Sequence, residues 1–294
     1  MKIKISLAQK VFDIFNAIFM LILMIIMFYP MWHVLMSSLS DSNMLLAHTG
    51  VIIKPLGFTY NAYKLMMKNP MILKGYLNTV YIVVVGVALN LLFTSVAAYV
   101  LSRTNVLYKK FFTILIILTM YFSGGLIPSY LLISKTLHMN DSYWALILPT
   151  LINTYNLIIM RTSFESIPVS LEESARLDGA GHWTLLLKII LPLSLPIIAV
   201  MTLYYAVAHW NSWFTANIYI KTRSKYPLQL ILREILISND TASMTSGTDA
   251  ASEFSVSESV KYAVIVAATF PILCVYPFLQ KYFVKGVMIG AIKG

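Results

Sequence analysis

Windows of mostly apolar residues recur six times along this chain, at roughly 12–37, 76–101, 110–133, 143–163, 193–217 and 260–282. Each approaches or exceeds the ~20 residues that an α-helix needs to cross the hydrocarbon core of a bilayer. In lipid every backbone N–H and C=O must find a partner inside the protein, so segments of this length can only span as helices. Hydrophobic residues make up 59% of the chain and charged residues 12%, against about 25% charged in soluble domains. The expected fold class is therefore an all-α membrane protein, one multi-pass domain over 1–294 with six transmembrane helices. The first window is too long for a secretory signal and lacks a small-residue cleavage site, so it should remain in the mature chain.

Charge sets the topology. The net charge is +10, but the basic residues are scattered through short connections and form no face alternating with aromatics. That excludes nucleic acid as a partner and leaves anionic membrane lipid as the simpler counter-charge. With the N-terminus placed in the cytoplasm, the connection carrying Arg103, Lys109 and Lys110, with no acidic residue, falls inside. Density of Lys and Arg per loop residue favours this orientation. Both termini and the loop 165–192 are then cytoplasmic, and the long loop 218–259 is external. In that loop, LQLILREILI after Pro227 reads as a short helix and 238–259 as a mobile stretch rich in Ser, Thr, Ala and Gly. Gly124, Gly125 and Pro128 interrupt the third window, which is tolerated only where protein or a water-filled cavity satisfies the freed backbone groups.

The loop 165–192 contains EESARLDGAGHWTLLLKIILP over 172–192. Ser170 and Glu173 form an S-x-x-E capping box that predicts a helix start at Leu171. Glu172 and Glu173 suit the positive end of the helix dipole, and Gly179 sits where a helix C-terminus favours positive φ. Arg176 and Asp178 decorate the surface, Ala175 and Ala180 supply a small apolar side, and Gly181 completes a compact corner. A short rigid element with small residues can enter a cleft on another protein.

The fifth window is unusually polar and aromatic. On a continuous helix, Thr202, Tyr205, His209, Trp210, Trp213 and Asn217 fall within an arc of about 140°, with Tyr204 and Asn211 on the other side. Polar groups at membrane depth usually face the bundle interior or an aqueous path. Tyr205, His209, Trp210, Trp213 and Asn217 are therefore candidates to line a solute path, since aromatic faces and amides suit a neutral oligosaccharide. The same residues also suit an interfacial aromatic belt. Asn78, Asn90, Asn153 and Asn156 read as interhelical glue.

Glu173, Ser174, Ala175, Gly179, Ile189, Leu191 and Pro192 fill a pattern of E-A-A, three residues, Gly, nine residues and I-x-L-P, with Ser174 the only departure. This resembles the EAA loop of ATP-binding-cassette importer permeases, most closely the MalG-type subunits of carbohydrate importers and their branch for complex or acidic oligosaccharides. The resemblance implies a MalG/MetI-like permease fold in a bacterial inner membrane, with a coupling helix between helices four and five. It implies that Ser170, Glu172, Glu173, Ala175, Arg176, Asp178, Gly179, Ala180 and Gly181 dock on an ATPase. Implied partners are a second homologous permease, an ATP-binding-cassette ATPase dimer and an external solute-binding protein. It also implies that the 218–259 loop can reach the binding protein, and that the glycine-punctuated tail 285–294 resembles those that touch the ATPase. The chain has no G-x-x-x-x-G-K-[ST] stretch, so no catalysis and no cofactor is expected of it, ATP and Mg²⁺ residing on the partner ATPase. Another solute, such as an amino acid, peptide or metal, is the alternative within the class. A gradient-driven transporter would need carboxylates within the spans, and only Asp13, at the edge of the first, is near. A membrane enzyme would need clustered nucleophiles or metal ligands. The five His are scattered, and the lone Cys274 allows no disulfide within the chain.

Overall fold

The computed structural model describes residues 6–238, 259–275 and 277, and among them every regular element is helical. These residues fall into two compact units, one within Met1–Pro70 and Glu234–Thr269, the other within Met71–Arg233 and Phe270–Gly294. The readings of 239–258 and of the tail 285–294 lie outside the described residues.

The first unit is built on α1 (Leu7–Ser38), which starts where Ser6 Oγ accepts the Gln9 N–H at 3.2 Å. Only its last turn is buried; the apolar side chains from Leu7 to Phe28 are exposed, as a helix facing lipid requires. Two short helices follow, α2 (Ser42–Ala47), capped by Asp41, and α3 (Asn61–Lys68). Trp32 Nε1 donates to the Ile53 carbonyl at 2.8 Å and the Ile52 N–H to Tyr29 Oη at 3.2 Å, pinning the connection between them to α1.

In the second unit α4 (Pro70–Ser102) is the spine. Its buried residues Ile72, Gly75, Thr79, Ile82, Gly86, Asn90, Thr94 and Ala98 recur every three or four positions, a stripe in which small and polar residues alternate with apolar ones. Small residues allow close helix approach in a membrane, where apolar burial supplies no driving force between helices. Against α4 lie α7 (Trp144–Ile147), α8 (Thr154–Glu165) and α12 (Leu195–Trp210). One core joins Tyr99, Leu157, Met160, Phe164, Leu185, Ile190, Met201 and Tyr205. A second joins Ile82, Ile133, Ala145, Leu146, Ile147, Ala216, Tyr219 and Leu230.

Several windows that read as single spans are broken. The third is α5 (Lys109–Tyr121) followed by α6 (Leu126–Leu131) and a π-helical turn Leu132–Thr136, bent by 109°. The break falls at Gly124 and Gly125, with Gly125 at φ +84°, a conformation that glycine adopts without strain. The fourth is interrupted between the 3₁₀ turn Leu148–Thr150 and α8, where Pro149 removes a donor and Asn153 caps the restart. In the loop that follows come α9 (Val169–Leu177) and α10 (His182–Leu185). A π-helical turn Leu186–Ile190 then leads into α11 (Leu191–Leu193). The path bends by 85° at Ser194 before α12, between Pro192 and Pro196. The fifth window then stops at Asn211 and resumes as α13 (Trp213–Tyr219), with Ser212 Oγ donating to the His209 carbonyl at 2.7 Å at the break. The short helix expected after Pro227 is α14 (Leu228–Ser238), and the last window holds α15 (Ser259–Val275). Among the described residues two helices, α1 and α4, are long and apolar enough to cross a membrane unbroken, and up to four crossings result if each bent pair is one.

A Cβ added at Gly86 would lie 2.5 Å from His209 Nε2 on α12. Gly86→Ala should therefore push the ring off its partner and cost about 1–3 kcal/mol, read as a lower midpoint of detergent-induced unfolding. An unchanged midpoint would show that α4 and α12 do not pack this closely.

Candidate functional site

The loop 165–192 projects α9 with most of one side open. The helix begins at Val169 rather than Leu171, with Pro168 at the cap in an extended conformation, φ −57° and ψ 130°, and no side-chain capping bond. The predicted capping box is thus not formed. Proline fixes the entry geometry two residues earlier, which places Ser170 inside the first turn instead of before it. The C-terminus is as expected. Gly179 is at φ +82°, the Ala180 N–H donates to the Ala175 carbonyl at 2.9 Å and the Gly179 N–H to the Arg176 carbonyl at 3.0 Å. This is a Schellman closure, and Ala175 and Ala180 both pack against the core beneath it.

Of the nine residues singled out, Ser170, Glu173, Arg176, Asp178, Gly179 and Gly181 are exposed, and Ala175 and Ala180 are half-buried. Glu172 differs. Its side chain, 12% exposed, turns inward to accept hydrogen bonds from Arg103 Nη1 and from Arg176 Nη2, the latter at 2.8 Å. Partial burial acts to raise the Glu172 carboxyl's pKa, but the bonds from the two guanidinium groups outweigh it and hold the group below its usual value. The pair therefore persists at neutral pH and is lost only as pH falls through that lowered value. Nearby, Glu165 accepts from Lys109 Nζ at 3.1 Å and Arg161 Nε at 3.0 Å.

Sequence reasoning missed two features here. Arg103 counted only toward topology, since its partner lies 69 residues away. Leu177, 90% exposed at the end of α9, was passed over, although an apolar residue next to the Asp178-Gly179 corner was visible as a protruding contact. Trp183 is also largely exposed. Beside them Val96, Val100, Arg103, Arg176, His182 and Trp183 contribute to the lining of a cavity of about 600 Å³.

The five candidate path residues do not share one open face. Tyr205, His209 and Trp210 are buried within the unit, while Trp213 and Asn217 are exposed. Tyr205 Oη bonds Thr94 Oγ1 at 2.7 Å and accepts the Asn153 N–H at 3.2 Å. His209 Nε2 lies 2.7 Å from Asn90 Oδ1, and Trp210 meets Tyr76 edge-on. The arc assumed an unbroken helix; the interruption at Asn211 and Ser212 puts Trp213 and Asn217 on a different one. Arg233 covers the Trp213 ring at 4.7 Å. Tyr204, Tyr205, His209 and Asn211 border a cavity of about 500 Å³ that Asn153, Tyr155, Asn156 and Phe214 also line, with no Asp, Glu, Lys or Arg among the described residues of its walls.

Asn90 does more than join two helices. Its Nδ2 donates to the carbonyls of Thr150, at 2.6 Å, and Leu151, at 2.9 Å. Because carbonyls only accept, the carboxamide orientation is set, its oxygen faces His209, and the imidazole proton there sits on Nε2. Asn78 serves the same way, donating to the carbonyls of Ser224 and Tyr226. Asn153, read as glue, is the cap of α8, accepting the Asn156 N–H at 3.1 Å.

The family described as "Binding-protein-dependent transport system inner membrane component" matches residues 103–289. The chain is 40% identical over 291 residues to the polygalacturonan/rhamnogalacturonan transport system permease protein YtcP of Bacillus subtilis, covering 97% of this chain and 99% of that protein. It is 42% identical over 287 residues to Protein LplC of the same organism, covering 98% and 96%. Among solved structures it is similar to a chain of a bacterial ABC transporter involved in the import of the acidic polysaccharide alginate. The TM-score there is 0.86 at 30% identity, covering 96% of this chain and 100% of that one.

Replacing Asn90 strands two carbonyls and the His209 N–H. Asn90→Ala should lower stability by about 1–3 kcal/mol. Asn90→Asp, of the same shape but without the donor, should do at least as much harm. Equal unfolding midpoints for Asn90→Asp and the unsubstituted protein would contradict the assignment.

Proposed function

We infer the role of the chain from one fact: it belongs to the family of binding-protein-dependent transport system inner membrane components. Within an ATP-driven importer it forms half of the translocation pore, and a second homologous permease forms the rest. It crosses the membrane six times with both termini in the cytoplasm, so that α9 faces the compartment that holds ATP. An ATPase dimer binds ATP and Mg²⁺ and receives the exposed residues of the 170–181 segment in a surface cleft; an external binding protein delivers solute to the opposite side. The chain performs no chemistry itself. Closure of the ATPase pair moves α9 as a rigid lever and alternates access to the path.

The observation that carries the docking reading is the form of α9. It is a short helix locked at its C-terminus by the Schellman closure, seated on Ala175 and Ala180, with Leu177 and the charged residues presented outward. A fully exposed leucine is an apolar contact in search of a cover, and burying it would contribute about 1.5–3 kcal/mol to docking.

The solute is a sugar or oligosaccharide. Relatives named for polygalacturonan, rhamnogalacturonan and alginate support this, as does the cavity beside α12. Tyr155, Tyr204 and Phe214 offer rings to the C–H faces of a sugar, and Asn153, Asn156 and Asn211 offer amides to its hydroxyls. Of the expected path residues, Tyr205 and His209 line this cavity, and Tyr204 and Asn211 join them there. With no Lys or Arg among the described residues of these walls, a carboxylate-bearing glycan would find its counter-charge on the partner permease.

Gly179→Asp tests the docking reading. A Cβ there meets nothing within 4 Å, so the substitution acts through the left-handed φ, about 1 kcal/mol, and through a charge placed in the docked face. Assembly should be partly retained while binding-protein-stimulated ATP hydrolysis is lost. Gly179→Asn, which tolerates the same φ without charge, should retain more. Normal stimulated hydrolysis in Gly179→Asp would refute docking.

A further inference from the structure

Arg103 follows directly on the end of α4, and its guanidinium is held from four sides. Nη1 donates to Glu172, Nη2 to the Phe164 carbonyl at 3.2 Å and Nε to Ser102 Oγ at 3.1 Å, while the group lies 5.2 Å from the Tyr99 ring centroid. One turn back on α4, Tyr99 Oη is 2.9 Å from His182 Nδ1 at the start of α10. The end of α4 is therefore attached on both sides of the α9 corner, to its first turn through Glu172 and to the segment after it through His182. A single contact would let α9 pivot; two flanking ones resist rotation. The Arg103 and Glu172 side chains are 13% and 12% exposed, so the pair is shielded from the solvent screening that weakens surface ion pairs.

Farther along, α4 is tied to α12 by Thr94 with Tyr205 and by Asn90 with His209. Tyr205 and His209 themselves reach the 500 Å³ cavity that α12 borders. Polar contacts thus run from α9 through Arg103 and α4 to the wall of the cavity.

We propose that Arg103 and Glu172 are positioning residues that lock α9 to α4, so that displacement of α9 is delivered along α4 to the solute path. The proposal rests on the docking reading above. It assigns Glu172 a role inside the chain, distinct from the exposed Glu173, Leu177 and Asp178, which meet the ATPase.

The test uses the complete importer in proteoliposomes, with both permeases, the ATPase dimer and the binding protein. ATPase co-purification, basal hydrolysis and solute transported per ATP hydrolysed are measured for Glu172→Gln, Arg103→Gln and the double variant. Both single variants should keep the ATPase in normal stoichiometry and hydrolyse ATP at the basal rate. Transport per ATP should fall about tenfold, with the double variant no worse than either single, since both remove one interaction. Unchanged transport per ATP in both single variants would overturn the lock. Loss of ATPase co-purification in Glu172→Gln but not in Arg103→Gln would also overturn it, by placing Glu172 in the docked face. Should the glutamine variants fail to insert, Arg103→Cys with Glu172→Cys in a Cys274→Ser background gives a second readout. Bridging the two thiols with a bifunctional reagent should restore coupling relative to the unbridged protein, and no restoration would overturn the proposal. Gly179→Asp, measured on the same preparation, reports on docking alone: normal hydrolysis there defeats that reading whatever the pair variants show.

Discussion

The carboxamide of Asn90 ties three parts of the chain together: α4, the break before α8, and α12. The chain breaks between Leu148–Thr150 and α8, leaving the carbonyls of Thr150 and Leu151 in need of partners from another element. Asn90 donates to both and accepts from His209 with its oxygen. One side chain on the unbroken helix α4 thereby closes the break in one neighbour and fixes the position of another. Close approach of α12 then requires glycine at position 86, and the polar stripe continues through Thr94 to Tyr205 and on to the backbone of Asn153. Broken helices border the cavity beside α12, and α4 is the straight member against which they are braced.

How much of this could be read from sequence depends on how local the cause was. Apolar windows gave the helical class, and Gly124 and Gly125 announced the break in the third window, because both signals lie within a few residues of their effect. The Schellman corner at Gly179 was legible for the same reason. The start of α9 was misplaced by two residues because Pro168 and Ser170 both carry start signals and the proline's fixed φ took precedence. The wheel over the fifth window assumed continuity, and nothing in the residues around Asn211 and Ser212 marks strongly the break that carries Trp213 and Asn217 onto α13. Most hidden were the long-range pairs. Arg103 with Glu172 and Asn90 with His209 join residues 69 and 119 positions apart, and no local pattern reveals which partner a polar residue will find.

Family membership and the geometry of the loop 165–192 give a consistent division of labour along α9. Its outward residues are exposed, its two alanines seat it, and Glu172 ties it to the residue that follows α4. A mobile surface loop with the same sequence would transmit little force, because it could yield at its own hinges. Here both ends are fixed, by Pro168 and by the Gly179 closure, and the middle is anchored through Arg103.

The central claim is that α9 is the contact with the ATPase. The most direct measurement replaces Leu177 with a photo-reactive amino acid in the assembled importer and identifies the covalent adduct formed on illumination. The same residue at Met27, exposed on α1, serves as the control. An adduct with the ATPase from position 177 and none from position 27 is the predicted result. Failure of position 177 to label the ATPase, in a preparation where the ATPase is present and active, would contradict the account.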